Sequence, residues 1–90
     1  MTKNLKDNFS LNGKKILVMG LGLIGGGVDV VRWLVKQGAK VTVTDLRTKK
    51  ELMPSLKKLK KLPIKYILGH HRKRDFQKVD LIIKINPKIN

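Results

Sequence analysis

Lys15-Ile16-Leu17-Val18-Met19-Gly20-Leu21-Gly22-Leu23-Ile24-Gly25-Gly26-Gly27-Val28 is the stretch on which the fold turns. Ile16 to Met19 is a short, continuous apolar run ending in glycine, the pattern of a strand covered on both faces. Beyond the glycines, apolar residues recur at Val28, Val31, Leu34 and Val35. Spacings of three and four predict a helix, and Gly38 is placed as its C-terminal stop. Val41-Thr42-Val43-Thr44 then forms a second β-branched run that ends at Asp45. Strand, helix and strand in about 30 residues make a βαβ unit with a right-handed crossover.

The same alternation continues to the end of the chain. Leu52, Leu56 and Leu59 mark a second helix, with Lys57, Lys58, Lys60 and Lys61 on its outer face. Pro54 is read as lying in its first turns, where a missing amide donor is tolerated. Ile64 to Leu68 is a third strand, and Lys65 within it suits a sheet edge. His70 to Lys78 reads as a basic loop with a helical turn around Phe76. Leu81 to Ile85 is a fourth strand, closed by Asn86-Pro87. The predicted fold is α/β: a Rossmann-like parallel sheet of about four strands, order 3-2-1-4, with flanking helices and a switch point between strands one and four. Strand four is apolar as if covered on both faces, yet the sequence stops within five residues. The expectation is that a helix or strand follows, so that this is the front end of something longer. Residues 1–12 read as a polar tail, with Leu5, Phe9 and Leu11 scattered in it, ahead of a domain at 13–90.

Composition narrows the function. At 90 residues the chain holds one core, which buries roughly 60–68% of the unfolded surface. A multi-domain enzyme with its own substrate cleft does not fit that length. The absence of cysteine excludes disulfide scaffolds and cysteine-ligated metal sites. No apolar run approaches a membrane span, and the first dozen residues lack the apolar core of a signal peptide, so the default compartment is the cytoplasm. Lys and Arg number 21 against 6 Asp and Glu, giving +15 and a pI near 10.5. Such a balance favours an anionic partner, although abundant Lys, Ile and Asn also follow from AT-rich coding.

Gly20, Gly22 and Gly25 match G-x-G-x-x-G between a strand and a helix, the context this motif requires. Gly20 serves a tight turn, Gly22 a close backbone approach to phosphate, and Gly25 a helix–strand contact. Free amides and the dipole at the helix start make an anion site. Gly26 and Gly27 each cost about 1 kcal/mol relative to Ala in a helix. A close approach there, by a ligand or by strand four, is expected to offset that cost. Asp45 follows Gly25 by 20 residues, where an acidic residue bonds an adenosine ribose in dinucleotide sites. Its alternative role is to cap the helix beginning near Thr48. Arg47 can meet a base or a phosphate, and the Asn86-Pro87 loop lies beside the glycines if the switch point is as placed.

Other features carry less. His70 to Arg74 is the densest basic patch, but adjacent histidines with no carboxylate constellation make no metal site, and a solvated loop is the expectation. Trp33, Tyr66, Phe9 and Phe76 are too scattered for a base-stacking platform, which argues against a nucleic-acid-binding protein despite the charge. Asp29 suits the first helix turn and can pair with Arg32. No nucleophile–base pair, carboxylate dyad or Walker-type Gly-Lys-Ser/Thr is present. An NAD(P)-binding module remains open, since the glycine motif and Asp45 do not separate dinucleotides from other nucleotide diphosphates.

Gly13-Lys14-Lys15-Ile16-Leu17-Val18-Met19-Gly20-Leu21-Gly22 and Gly38-Ala39-Lys40-Val41-Thr42-Val43-Thr44-Asp45-Leu46-Arg47 resemble the opening of the D-glutamate-adding members of the Mur ligase family. Leu56-Lys57-Lys58-Leu59, Ile67-Leu68-Gly69-His70, Asp75-Phe76 and Asp80-Leu81-Ile82-Ile83-Lys84 follow in the family's order. The resemblance implies a ligase of peptidoglycan precursor synthesis, and a domain that holds the UDP part of UDP-MurNAc-L-Ala. It places Gly20, Leu21, Gly22, Leu23, Ile24 and Gly25 at the diphosphate, Asp45, Leu46 and Arg47 around uracil, and Asn86 and Pro87 near diphosphate and sugar. ATP and Mg2+ belong to a central domain and D-glutamate mainly to a C-terminal one. Neither is present here, so the chain by itself is expected to be a truncated, inactive form with no cofactor and no catalytic residue. Ile24 stands where the family often has Ser or Thr, Lys88 where a small residue is usual, and Ile85 adds a residue before Asn86.

Overall fold

The computed structural model describes residues 10–85. Seven elements alternate along them: β1 (Lys15–Met19), α1 (Gly26–Lys36), β2 (Lys40–Asp45), α2 (Lys49–Lys58), β3 (Ile64–Leu68), α3 (Lys73–Gln77) and β4 (Leu81–Lys84). The strands form one parallel sheet in the order β3-β2-β1-β4, as the sequence predicts. Val18 lies beside Val43 of β2 and Ile83 of β4, which fixes the register across the three strands.

Parallel pairing puts alternate residues of neighbouring strands on one face. Ile16, Val18, Val41 and Val43 therefore share a face, and they join Val28, Val31, Leu34, Leu52 and Leu59 from the α1 and α2 segments in the main core. Leu52 is fully buried, and its burial alone is worth about 1.5–3 kcal/mol. Leu17, Thr44 and Ile67, also buried, lie on the opposite face. The crossover from β3 to β4 reaches that face, where His71 bonds Thr44. Leu11 packs against the main core, and Gly13 donates to the Gly38 carbonyl, so the described end of the tail is held rather than loose.

Helix boundaries follow local chemistry. Thr48 caps α2 through a reciprocal capping box with Glu51, whose carboxylate accepts from the Thr48 amide at 3.0 Å. That amide bond, followed by the Thr48 hydroxyl, holds the Glu51 carboxyl below its ordinary pKa. The Arg32 guanidinium donates to the Lys58 carbonyl at the far end of α2, while its weaker pair with Asp29, 3.7 Å apart, is exposed. Gly38, at φ +84°, ends α1 as expected.

One expectation changes, that for Pro54. Pro54 is the sixth residue of α2, beyond the four amides that lack helical partners, so it deprives the Lys50 carbonyl of a donor. Both residues are exposed, which leaves that carbonyl open to water. Strand four is not covered on both faces among the described residues. Leu81 and Ile82 are each 44% exposed, because β4 is an edge strand paired only with β1. No helix among the described residues is long and apolar enough to cross a membrane.

Candidate ligand-binding site

At the carboxyl ends of β1, β2 and β4 lies a crevice of about 900 Å³, the place where open parallel sheets receive ligands. Gly20, Leu21, Gly22, Leu23 and Ile24 form one wall, with the start of α1. Asp45, Leu46 and Arg47, then His71, Lys84 and Ile85, complete the lining. The structure thus gathers eight of the eleven predicted site residues. Gly25, a ninth, precedes α1 as its N-cap. Asn86 and Pro87 lie outside the described residues.

Gly20 turns the chain as expected, while the helix contact falls on a different glycine from the one expected. Gly20 takes φ +90°, and a Cβ there would stand 3.1 Å from the Ile85 carbonyl oxygen, so strand four's approach falls on this residue. Gly22 takes φ +72° with open space around it, a conformation that by itself favours glycine. The close helix contact expected of Gly25 belongs to Gly27. A Cβ at Gly27 would overlap the Leu21 carbonyl oxygen and lie 2.8 Å from its carbon. Neither a ligand nor strand four accounts for that glycine; the loop's own backbone does.

Asp45 also acts differently. It is 2% exposed, and its Oδ2 accepts from the amides of Leu21 at 2.8 Å and Gly22 at 3.2 Å. Its Oδ1 accepts from the Arg47 amide at 2.8 Å and lies 3.7 Å from the Arg47 guanidinium. The carboxylate therefore shapes the glycine loop and the turn after β2. It does not cap α2, which Thr48 does, and both its oxygens are engaged within the chain.

The amides left for an anion are those at the head of α1. No side chain caps this helix, so the amides of its first turn have no side-chain acceptor among the described residues, and Gly26 and Gly27 line the crevice. A helix start of this kind carries about half a positive charge. Arg47 and Lys84 add cationic groups at the rim, and Leu46, 67% exposed, adds an apolar one. A second groove, of about 870 Å³, opens at the other ends of the strands beside Lys15, Lys40, Lys65 and Arg74. It lies away from the glycine loop and is bordered by the short helix α3 through Arg74 and Asp75.

Lys84 and Ile85 of the lining were not expected there, and two further contributors, Ser55 and His71, have defined partners. Ser55 is buried, and its hydroxyl donates to the Gly22 carbonyl at 2.5 Å, tying α2 to the loop. Its position three residues after Leu52, on the apolar stripe, was the available signal. His71 was assigned to a solvated loop, yet it is half-buried, bonds Thr44 and lines the crevice. No spacing reveals that, since the contact joins residues 27 apart. Among the described residues no group of three His, Cys, Asp or Glu side chains can hold a metal ion.

Residues 14–90 match the model of the Mur ligase MurD-like N-terminal domain. The chain belongs to that family. This MurD-like domain is 51% identical over 79 residues to UDP-N-acetylmuramoylalanine--D-glutamate ligase of Roseiflexus sp., covering 88% of this chain and 17% of the relative. The ligase of the same name from Borreliella afzelii is 48% identical over 75 residues, covering 81% and 16%. The one from Treponema pallidum is 46% identical over 78 residues, covering 86% and 14%. The MurD-like domain thus spans about one sixth of the length of these curated relatives. Among solved structures, shikimate dehydrogenase from Aquifex aeolicus superposes with a TM-score of 0.61 and 31% identity, covering 89% of this chain and 27% of that one. That likeness agrees with the Rossmann-like sheet.

Proposed function

We propose that residues 13–90 are the UDP-sugar-binding unit of the ligase that adds D-glutamate to UDP-MurNAc-L-Ala, and that the unit binds this substrate without catalysing a reaction of its own. The observation that carries the reading is the uncapped start of α1, which opens into a crevice at the switch point of a MurD-like domain. Its volume, about 900 Å³, lies within the range of small-molecule sites. The amides of α1 receive the diphosphate. Leu46 and Arg47 flank the uracil, and the glycine loop, held by Asp45 and Ser55, fixes the distance between the two.

In the full-length ligase, ATP with Mg2+ phosphorylates the substrate carboxylate to an acyl phosphate, and the amine of D-glutamate displaces phosphate to form the amide. That chemistry needs groups beyond this domain: among the described residues there is no Walker-type loop, and the one hydroxyl–imidazole pair at the crevice, Thr44 with His71, has its hydroxyl fully buried. Its role is to bind and orient the UDP end. The compartment consistent with this reading is the cytoplasm.

The engagement of Asp45 weighs against an NAD(P) site, because the carboxylate expected on a ribose is committed to the amides of Leu21, Gly22 and Arg47. An NMR titration tests the choice. UDP and UDP-MurNAc-L-Ala are expected to shift the amides of Gly22 to Gly27 and of Asp45, and NADH to leave them in place. Shifts with NADH and none with UDP would overturn the reading.

A further inference from the structure

We propose that His71 is an anion-binding residue of the crevice, facing the head of α1 and donating a hydrogen bond from Nε2 to the diphosphate. The inference rests on the reading of the crevice as a nucleoside diphosphate site. It begins with Thr44, whose side chain is fully buried. The Thr44 hydroxyl lies 2.7 Å from His71 Nδ1 and 3.4 Å from the His70 carbonyl oxygen. It has one proton to give and two lone pairs to receive. When it donates to the carbonyl, it accepts from a protonated Nδ1. When it donates to Nδ1, the proton of a neutral ring sits on Nε2.

An anion beside Nε2 selects the states in which that nitrogen carries a proton. In the imidazolium state every donor in the chain is matched: Nε2–H to the anion, Nδ1–H to Thr44, and the Thr44 hydroxyl to the His70 carbonyl. Such charge-assisted bonds are stronger than neutral ones. The ring is also held in place. Phe76 of α3 meets it edge to face, with centroids 6.0 Å apart and planes at 87°. The segment leading to it is pinned where the Gly69 amide donates to the carbonyls of Asp45 and Arg47, each at 2.9 Å. A side chain fixed by a buried hydroxyl, an aromatic edge and a backbone anchor has little freedom left to lose on binding.

Charged groups near His71 are consistent with this role. Arg47 and Lys84 share the crevice with it, and Asp45 is occupied by the glycine loop. Asp75 of α3 is occupied by a two-bond pair with Arg72, both bonds 2.8 Å long. No carboxylate in this set is free to compete for Nε2.

Calorimetric titration of the 90-residue chain with UDP-MurNAc-L-Ala and with uridine tests the role. His71→Ala is expected to weaken UDP-MurNAc-L-Ala binding about tenfold or more and leave uridine binding unchanged. His71→Gln, which keeps an amide donor of similar reach, is expected to recover part of the loss. The ring 15N resonance of Nε2 in the unaltered chain is expected to move with UDP-MurNAc-L-Ala and not with uridine. Equal affinity of His71→Ala and the unaltered chain, or an Nε2 resonance that stays in place, would overturn the proposal while leaving the UDP site intact. Equal loss of both ligands would reduce His71 to a structural part. If the unaltered chain binds neither ligand, the reading of the crevice falls, and the role of His71 with it.

Discussion

Replacing Gly26 and Gly27 one at a time by alanine is expected to change stability in opposite directions, although both open α1. A Cβ at Gly26 meets no atom within 4 Å. Alanine there restricts the unfolded chain and favours the helix, a gain of about 0.4–1 kcal/mol. At Gly27 the same methyl overlaps the Leu21 carbonyl oxygen and sits 2.8 Å from its carbon. Neither atom can swing aside as a side-chain tip does, because Leu21 is buried and its amide is bonded to Asp45. Helix and loop must separate, at about 2–3 kcal/mol, and that outweighs the same propensity gain. Urea unfolding followed by circular dichroism measures both. With a slope of about 1 kcal/mol per molar for a chain of this size, Gly26→Ala should raise the midpoint by roughly 0.4–1 M, and Gly27→Ala, after the same propensity gain is set against a clash of about 2–3 kcal/mol, should lower it by roughly 1–2.6 M. A Gly27→Ala chain as stable as the parent would refute the loop–helix contact and the account of the glycine cluster built on it.

Asp45→Asn tests the buried anchor of the same loop. The amide nitrogen of the new side chain faces backbone donors on one side or the other, and the loss is expected to be about 3 kcal/mol. At roughly 4–8 °C per kcal/mol, that lowers Tm by about 12–24 °C in a thermal melt; a shift below about 2 °C would show that the carboxylate does not hold the loop. A third expectation concerns acid. The Arg72 guanidinium, by its hydrogen bonds, keeps the Asp75 carboxyl below the usual carboxylate range. A folded-state pKa below the unfolded one gives stability that is present above the ordinary aspartate value of about 4 and disappears as pH falls through the lowered native value. Glu51 acts in the same direction. Asp75→Asn removes only the Asp75 part, so urea midpoints measured from pH 5 down to pH 2 should fall less steeply than the parent's. Parallel profiles would rule out a stabilising role for the Arg72–Asp75 pair.

Much of this fold is legible along the chain because its signals are local. Apolar runs bounded by glycine mark β1, and three-and-four spacing marks α1; each depends on residues a few positions apart. Strand order then follows from the Rossmann-like alternation of strands and helices, and the glycine motif marks the turn between β1 and α1 where the crevice opens. One misreading has a local cause too: with α2 starting near Thr48, Pro54 falls beyond the first turn, where the missing amide costs a helical bond. The apolar run of β4 calls for cover from a further element, and among the described residues Leu81 and Ile82 are each 44% exposed.

The candidate site divides along the same line. Its residue types and their place in the chain follow from the order of strand, glycine loop and helix, since an unpaired helix start attracts an anion whatever surrounds it. The task of each side chain depends on contacts between residues far apart in sequence. Asp45 reaches back 24 residues to the Leu21 amide, and Ser55 reaches 33 residues to the Gly22 carbonyl. His71 meets Thr44 only because the β3–β4 crossover returns over that face. Those bonds make Asp45 an anchor of the glycine loop and make His71, expected in a solvated loop, part of the crevice wall. Periodicity and motif spacing describe what one stretch of chain prefers. Which donor finds which acceptor is settled by packing, where each buried polar group must take a partner from whatever the fold brings within reach.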